Sequence, residues 1–477
     1  MITFFICLTL LVAAYFIYGR ALEKVVDIDA SAPVPSETHY DGVDYMPLPR
    51  WRIFLIQLLN IAGTGPIFGA ILGACYGPVA FVWITLGGIL MGAMHDFVAG
   101  VISLRNEGRS LPETIGKYLG RNMYRLSMVM IPILMVLVGG VFIVTPSKIL
   151  ASMTDMSYLV WVGVVIIYYF IATILPVDKI IGKIYPVFGA ALIFMALAMF
   201  GVVAFGDYEI PELLSLRNEH INAENLPIVP TLFISIACGA ISGFHATQSP
   251  LMARCVTSEK QCRPVFFGAM ISESVIALIW AAVAMAFFGG VEGLNGFMAE
   301  NGNDAGLAVS HISLTTLGIA GSVLALLGVV AAPITSGDTA FRSARLIVAD
   351  MLKIDQKPIY KRLLVSLPLF ALGVGIAFID FDVIWRYFAW SNQTLAVFTL
   401  WMIYAWLKRR GSRYGIIAIL PAIVMTYVCS SFVFVSNQFL GMGSVPLAYA
   451  YGAVVTIVVA VMALLKIKKD VKNGAEI

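Results

Sequence analysis

The sequence predicts an all-α polytopic membrane protein of about thirteen transmembrane helices, built on two inverted five-helix repeats that each open with a broken helix. Three observations predict it. Apolar runs of about 20 residues return along the whole chain. The basic residues collect between alternate runs. Two of the runs are interrupted at mid-depth by glycines and hydroxyl residues, with a proline beyond. With 60% hydrophobic and 12% charged residues and a mean hydropathy of +0.90, the chain lies outside the soluble globular class. The runs are continuous and do not alternate, which excludes a β-barrel. The net charge of +3 says little, because the placement of basic residues is what matters in a membrane. Cys7, Cys75, Cys238, Cys255, Cys262 and Cys429 are scattered without a Cys-x-x-Cys and read as reduced packing residues, not as a metal site or disulfide framework.

The first span, Ile2 to Tyr18, has no basic residue before it and has Arg20 and Lys24 just after it, so it reads as an uncleaved helix with its N-terminus outside. A polar linker rich in proline and acids runs from Ala30 to Arg50. The second span, Arg52 to Gly73, holds the first break. The others are Gly77 to Leu104, Arg125 to Val144, Tyr158 to Leu175, Ile184 to Phe205, Val229 to Gln248, Pro264 to Phe288, Leu317 to Thr335, Leu363 to Phe378, Val383 to Leu407, Tyr414 to Val435 and Val445 to Leu465. With the N-terminus outside, Lys148, Arg217 and Arg386 are the only Lys and Arg residues away from the cytoplasmic segments and their flanks. The loops Gly206 to Ile228 and Gly289 to Thr316 are acidic and fall outside. Residues 1–50 are thus an N-terminal helix and cytoplasmic linker, 51–206 the first repeat, 229–407 the second, and 413–477 two further helices with a basic tail that places the C-terminus in the cytoplasm.

The first break is Gly63-Thr64-Gly65-Pro66, about 17 Å into its span at 1.5 Å per residue and so near the midplane of a ~30 Å core. Irregular backbone persists at that depth only where protein or a water-filled cavity covers it, so a broken helix marks a binding site; a kink for close helix packing is the competing explanation. Pro66 suits the first turn of a half-helix, which would leave the amides near Gly65 and Ile67 free for a substrate carboxylate. The seventh span carries a second break, Cys238-Gly239-Ala240-Ile241-Ser242-Gly243-Phe244-His245, with Pro250 beyond. An odd offset of five spans runs the two broken helices in opposite directions, as inverted repeats require.

Ionisable residues inside a span are costly and usually functional. His95, Asp96, His245, Glu273 and Arg386 qualify. Asp96 and Glu273 both fall roughly 12 to 14 Å from the cytoplasmic ends of their spans, which suits proton carriers, with His95 beside them; adjacent helix positions point about 100° apart, so His95 and Asp96 are not expected to face the interior together. Pairing of either acid with Arg105, Arg254 or Arg263 is the structural alternative. In the eleventh span Arg386, Trp390 and Gln393 share a face with Ser391 and Asn392 beside it, a set suited to a carboxylate-bearing substrate; Asp382, four residues before Arg386, offers a local ion pair instead. At the inner end of the ninth span, Thr335, Ser336 and Asp338 supply hard oxygen ligands, either for sodium or as a cap on the amphipathic segment that follows.

These pieces resemble the carbon starvation protein A family: Asp41-Gly42-Val43-Asp44-Tyr45-Met46-Pro47 ahead of Ile61-Ala62-Gly63-Thr64-Gly65-Pro66, then His95-Asp96, then Thr335-Ser336-Gly337-Asp338-Thr339-Ala340-Phe341-Arg342-Ser343-Ala344-Arg345, and Trp385-Arg386-Tyr387-Phe388-Ala389-Trp390-Ser391-Asn392-Gln393. The resemblance implies a bacterial cytoplasmic-membrane transporter of LeuT/APC-like fold, associated with short peptides and, in some members, with pyruvate and protons. Better-known members are longer at the C-terminus and carry a His pair where this chain has Gln57 and Leu58, so coupling here would use other residues or another ion. The expectation is a secondary transporter, not an enzyme, that couples uptake of short peptides or pyruvate-like carboxylates to a cation, protons first, during carbon starvation. Gly63, Thr64, Gly65, Ser242, Gly243, His245, Arg386, Trp390, Asn392 and Gln393 would hold substrate, His95, Asp96 and Glu273 would carry protons, and Thr335 and Ser336 would form any sodium site. The rivals are a sodium-coupled amino acid transporter, a channel, or a nutrient sensor. Its partners would be substrate, coupling cation and bilayer, with no nucleic acid. There is no Walker motif and no implied cofactor.

Overall fold

The computed structural model describes residues 1–42, 45–174, 177–356 and 358–473, with backbone alone at 177–184, 319–327 and 382. Its regular structure is helical throughout the described residues. In chain order the helices are α1 (Ile2–Val25), α2 (Arg50–Ala62), α3 (Gly65–Ala74), α4 (Val79–Arg105), α5 (Leu111–Leu119), α6 (Arg121–Met153), α7 (Tyr158–Ile174) and α8 (Val177–Phe205). After a long loop follow α9 (228–235), α10 (Gly243–Ala253), α11 (Glu259–Phe287), α12 (Val291–Glu300), α13 (Ala305–Ala325), α14 (Ala331–Leu352), α15 (Ile359–Ile376), α16 (Phe381–Arg409), α17 (Arg413–Val435) and α18 (Val445–Lys472).

Among the described residues, eight of these are long and apolar enough to cross a membrane, or nine when α2 and α3, bent by 46°, count as one span. The count differs from the thirteen expected for local reasons. The seventh expected span is split into α9 and α10, and the ninth is shared between the end of α13 and the start of α14. The eleventh lies in α16, where Arg386, Ser391, Asn392 and Gln393 dilute the apolar character. The fifth is the apolar helix α7, just too short to qualify. The loop expected from Gly289 to Thr316 contains α12 and the first turns of α13. The polar linker is no free tether: Ser36 Oγ donates to the Val256 carbonyl at 2.7 Å and the Leu48 amide to the Cys255 carbonyl at 3.2 Å.

Burial separates interior from rim. In its most apolar window α11 is 83% buried and α18 only 17%, so α11 is a core helix and α18 presents its apolar faces outward. The charged ends are tied across elements. Arg105 at the end of α4 forks onto Glu259 at 2.7 and 2.8 Å and donates to the carbonyls of Val26 and Asp27 past the end of α1. Glu259 is 2% exposed. Removing the cation from such a bidentate pair strands a buried charge, which costs about 3 kcal/mol, against less than about 1 kcal/mol for an exposed pair such as Arg109–Glu107. Denaturant unfolding in detergent should therefore show Arg105→Gln far less stable than Arg109→Gln. Equal losses would mean the node contributes no more than a surface pair.

Candidate functional site

The first break is local backbone chemistry. α2 stops at Ala62 because Gly63 takes φ +48° and ψ −131°, a conformation that a side chain would strain. Thr64 follows, and α3 restarts with Pro66 in its first turn. The amide of Ile67 is not free: it bonds the Thr64 carbonyl at 3.1 Å, and that of Phe68 bonds the same oxygen at 2.8 Å, because the new helix closes its first turn on Thr64. Polar atoms of Gln57, Asn60 and Thr64 are instead buried without a hydrogen-bond partner. Gln57 and Asn60, three residues apart, share one face of α2, and Thr64 follows just past the break. That periodicity in an apolar run was the available signal for Gln57 and Asn60, which the sequence reading did not place among the site residues.

The second break runs from the end of α9 to Gly243, with Gly239 at φ +91°. The two breaks touch. A Cβ added to Gly65 would fall 2.2 Å from the Cys238 Cβ, so only glycine lets them approach this closely. Asn392 of α16 then secures the restart of α10: its Oδ1 accepts from the Phe244 amide at 2.7 Å and its Nδ2 donates to Ser242 Oγ at 3.0 Å. Gly243 lies directly on the Asn392 carbonyl and the Ala396 amide.

Beside this contact lies a chain of buried ionisable groups, each fully inaccessible to solvent. His95 Nδ1 is 2.7 Å from Asp96 Oδ1, and His245 Nδ1 is 2.7 Å from Asp96 Oδ2. His245 Nε2 faces Glu273 Oε2 at 3.3 Å, at ion-pair distance but not aligned as a hydrogen bond. His95 and Asp96 are both interior despite their 100° offset, because every residue from Met94 to Leu104 of α4 is packed by protein. The structure therefore sets His245, expected among the substrate contacts, between the two carboxylates. Arg105, Arg254 and Arg263 are engaged elsewhere, with Glu259, the Gly108 carbonyl and Glu23. Among the described residues no Lys or Arg pairs with Asp96 or Glu273. Cys238 Sγ, a His245 nitrogen and a Glu273 oxygen lie within 4.8 Å of one another, one donor short of the closed set of a structural zinc site.

The remaining expected residues divide. Ser336 Oγ donates to the Leu59 carbonyl at 3.0 Å, just before the first break, whereas Thr335 Oγ1 turns back to the Ala332 carbonyl and Asp338 takes Tyr185 and Arg342. Gln393 reaches the Phe233 carbonyl of α9. Trp390 is corrected: its indole donates to the Cys429 carbonyl and packs on Phe439, because that face of α16 is covered by α17 and the chain after it. Arg386 donates to Gln438 and lines a cavity of about 60 Å³ with Tyr76, His220, Thr231 and Trp385. Its suggested pairing with Asp382 lies outside the described residues. Burial, then the Arg386 charge, holds His220, in the loop before α9, down to about 4, so its imidazole is neutral near pH 7. A second cavity of about 170 Å³, lined by Glu113, Thr247, Arg254 and Asp350 among others, lies toward the basic end.

Comparison with known proteins follows the same lines. The family model described as carbon starvation protein CstA matches residues 1–158 and 143–327. An uncharacterized membrane protein of Haemophilus influenzae is 42% identical over 339 residues, 60% of this chain and 91% of its own length. The peptide transporter CstA of Bacillus subtilis is 28% identical, over 58% of this chain and 56% of its own. The pyruvate/proton symporter BtsT of Escherichia coli is 26% identical, over 64% and 51%. The chain thus spans about half the length of these two transporters. Among solved structures, a Na+-coupled sialic acid symporter superposes with a TM-score of 0.55 over 96% of this chain and 97% of that one, at 13% identity, a likeness of fold alone and of the LeuT type.

The contact between the breaks makes a sharp test. Gly65→Ala forces Cβ into Cys238 and should cost about 1–3 kcal/mol by overpacking. Cys238→Gly in the same chain should recover much of that loss in thermal unfolding. No loss in the single variant would mean the breaks are not in contact.

Proposed function

The chain belongs to the carbon starvation protein CstA family, and from that premise we propose that it is a cytoplasmic-membrane secondary active transporter that couples uptake of short peptides or pyruvate-like carboxylates to protons. The observation that carries this reading is the buried Asp96–His245–Glu273 chain lying against the point where the two breaks meet. On this reading α2 with α3 opens one five-helix repeat and α9 with α10 the inverted other, and the full set amounts to thirteen passes. The basic end, with Arg105, Arg254 and Arg409, is cytoplasmic, so the N-terminus is outside and the C-terminus inside.

Substrate sits along the broken helices, where Gln57, Asn60 and Thr64 have polar atoms to satisfy and Gly63, Gly65, Ser242, Gly243, Asn392 and Gln393 shape the approach. Arg386 meets the carboxylate in the outer cavity before it reaches the breaks. The proton passes by His245: Nε2 takes it from Glu273 while Nδ1 gives one to Asp96, whose other oxygen is held by His95. Cys238 is the remaining titratable neighbour of this path. The carrier needs no His pair before the first break, which fits Gln57 and Leu58 standing there.

Sodium is the second reading, favoured by the Ser336 hydroxyl on the Leu59 carbonyl, where a cation would share oxygens of Ser336, Thr335 and the freed backbone. Uptake of labelled pyruvate and dipeptides into reconstituted vesicles separates the two. A pH gradient alone should drive accumulation, which falls as the outside is made alkaline. Asp96→Asn and Glu273→Gln should lower accumulation roughly tenfold or more while exchange survives, because an amide holds a hydrogen bond but does not cycle a proton. Accumulation that needs a sodium gradient and is lost in Ser336→Ala would replace the proton reading.

A further inference from the structure

One flank of the molecule carries an apolar groove with a charged basin beside it. The groove, about 410 Å³, runs between α1, α8 and α11, with Phe54 of α2 behind it. Small residues hollow it out: Gly268 and Ser272 of α11 and Ala196 of α8 face Val12, Tyr15 and Phe16 of α1. The basin, about 930 Å³, is lined by Arg20, Lys24, Arg50, Lys260 and Arg263, with Glu23, Asp27 and Asp29 among them. Arg263 joins the two. Its guanidinium stacks over Tyr15 of the groove at 5.2 Å, and Pro264 beside it lines the groove wall.

The charges in the basin do not balance. Glu23 is paired by Arg263 at 3.3 Å and Asp27 by Arg410 at 3.5 Å, while Asp29 keeps its charge and accepts from the hydroxyl and amide of Ser31. Among the described residues Arg20, Lys24, Arg50 and Lys260 make no ion pair. Nε and Nη1 of Arg263 are buried without a hydrogen bond. Trp51, 58% exposed beside Arg50, marks this level as the membrane–water interface.

An acyl chain fits the groove and a phosphate fits the basin, and the neighbouring Arg263 and Pro264 set the two side by side, so we propose that this flank is a binding site for an anionic phospholipid of the phosphatidylglycerol type. Its phosphate would sit between Arg20 and Arg263, where Lys24, Arg50 and Lys260 also line the basin, and one acyl chain would lie along Tyr15, Gly268 and Ser272. A zwitterionic headgroup would set its own cation against the four unpaired ones. The site is distinct from the breaks and does not depend on the transport reading.

Native mass spectrometry of the detergent-purified protein tests it, with phosphatidylglycerol, phosphatidylcholine and glycerol 3-phosphate as the three probes. One phosphatidylglycerol should be retained in preference to phosphatidylcholine, and glycerol 3-phosphate should bind far more weakly because it lacks the chains. Arg20→Gln and Arg263→Gln should each weaken retention roughly fivefold. Ser272→Phe and, on the same wall, Val275→Trp should block the groove while the protein keeps its elution profile and unfolding midpoint. Equal retention of both phospholipids, retention unchanged in the arginine variants, or glycerol 3-phosphate binding as tightly as the lipid would each overturn the proposal.

Discussion

A peptide group inside a bilayer has only protein to bond, and the rest of this structure depends on how two unwound segments meet that demand. Each break covers the other. Gly65 lies on Cys238, Asn392 caps the Phe244 amide, Ser336 bonds the Leu59 carbonyl, and Phe68 and Ile67 share the Thr64 oxygen. The helices around them are placed accordingly. α4 and α11 are interior because they flank the second break, and α14 is interior because it closes over the first. The outer helices α15 and α18 carry no such duty, and their apolar residues stay exposed.

The same geometry explains where the buried charges stand. Asp96 and Glu273 belong to two long helices of the core, and His245 belongs to the short half-helix that restarts after the second break. The two carboxylates sit on continuous helices, while the imidazole between them sits on an element joined to the chain by non-helical backbone. A tilt of α10 would lengthen one of the 2.7 and 3.3 Å separations and shorten the other. On the proposed proton-coupled reading, the path and the mechanical joint would be one object, which is how a transporter would couple the two.

Polar residues at helical spacing divide by what covers each face. In α16, Asn392 turns to the second break while Trp390, two residues earlier, turns to Cys429 and Phe439. The chain after α16 supplies that cover, so the Trp390 indole packs there. Arg386 lines a separate cavity with Tyr76 and His220.

The sequence by itself determined what is local. Gly63, Pro66, Gly239 and Gly243 carry the positions of both breaks, because φ-permissive residues and a missing amide interrupt a helix whatever surrounds it. The apolar runs determined the all-helical membrane class, and the quoted motifs determined the family. Only tertiary structure decided that His245 bridges Asp96 to Glu273 and that Cys238 rests on Gly65. It also decided which runs survive as single long helices. The physical reason is that helical periodicity tells which residues share a face but not which face meets which neighbour, and residues 149 apart in the chain, such as Asp96 and His245, are joined by packing alone.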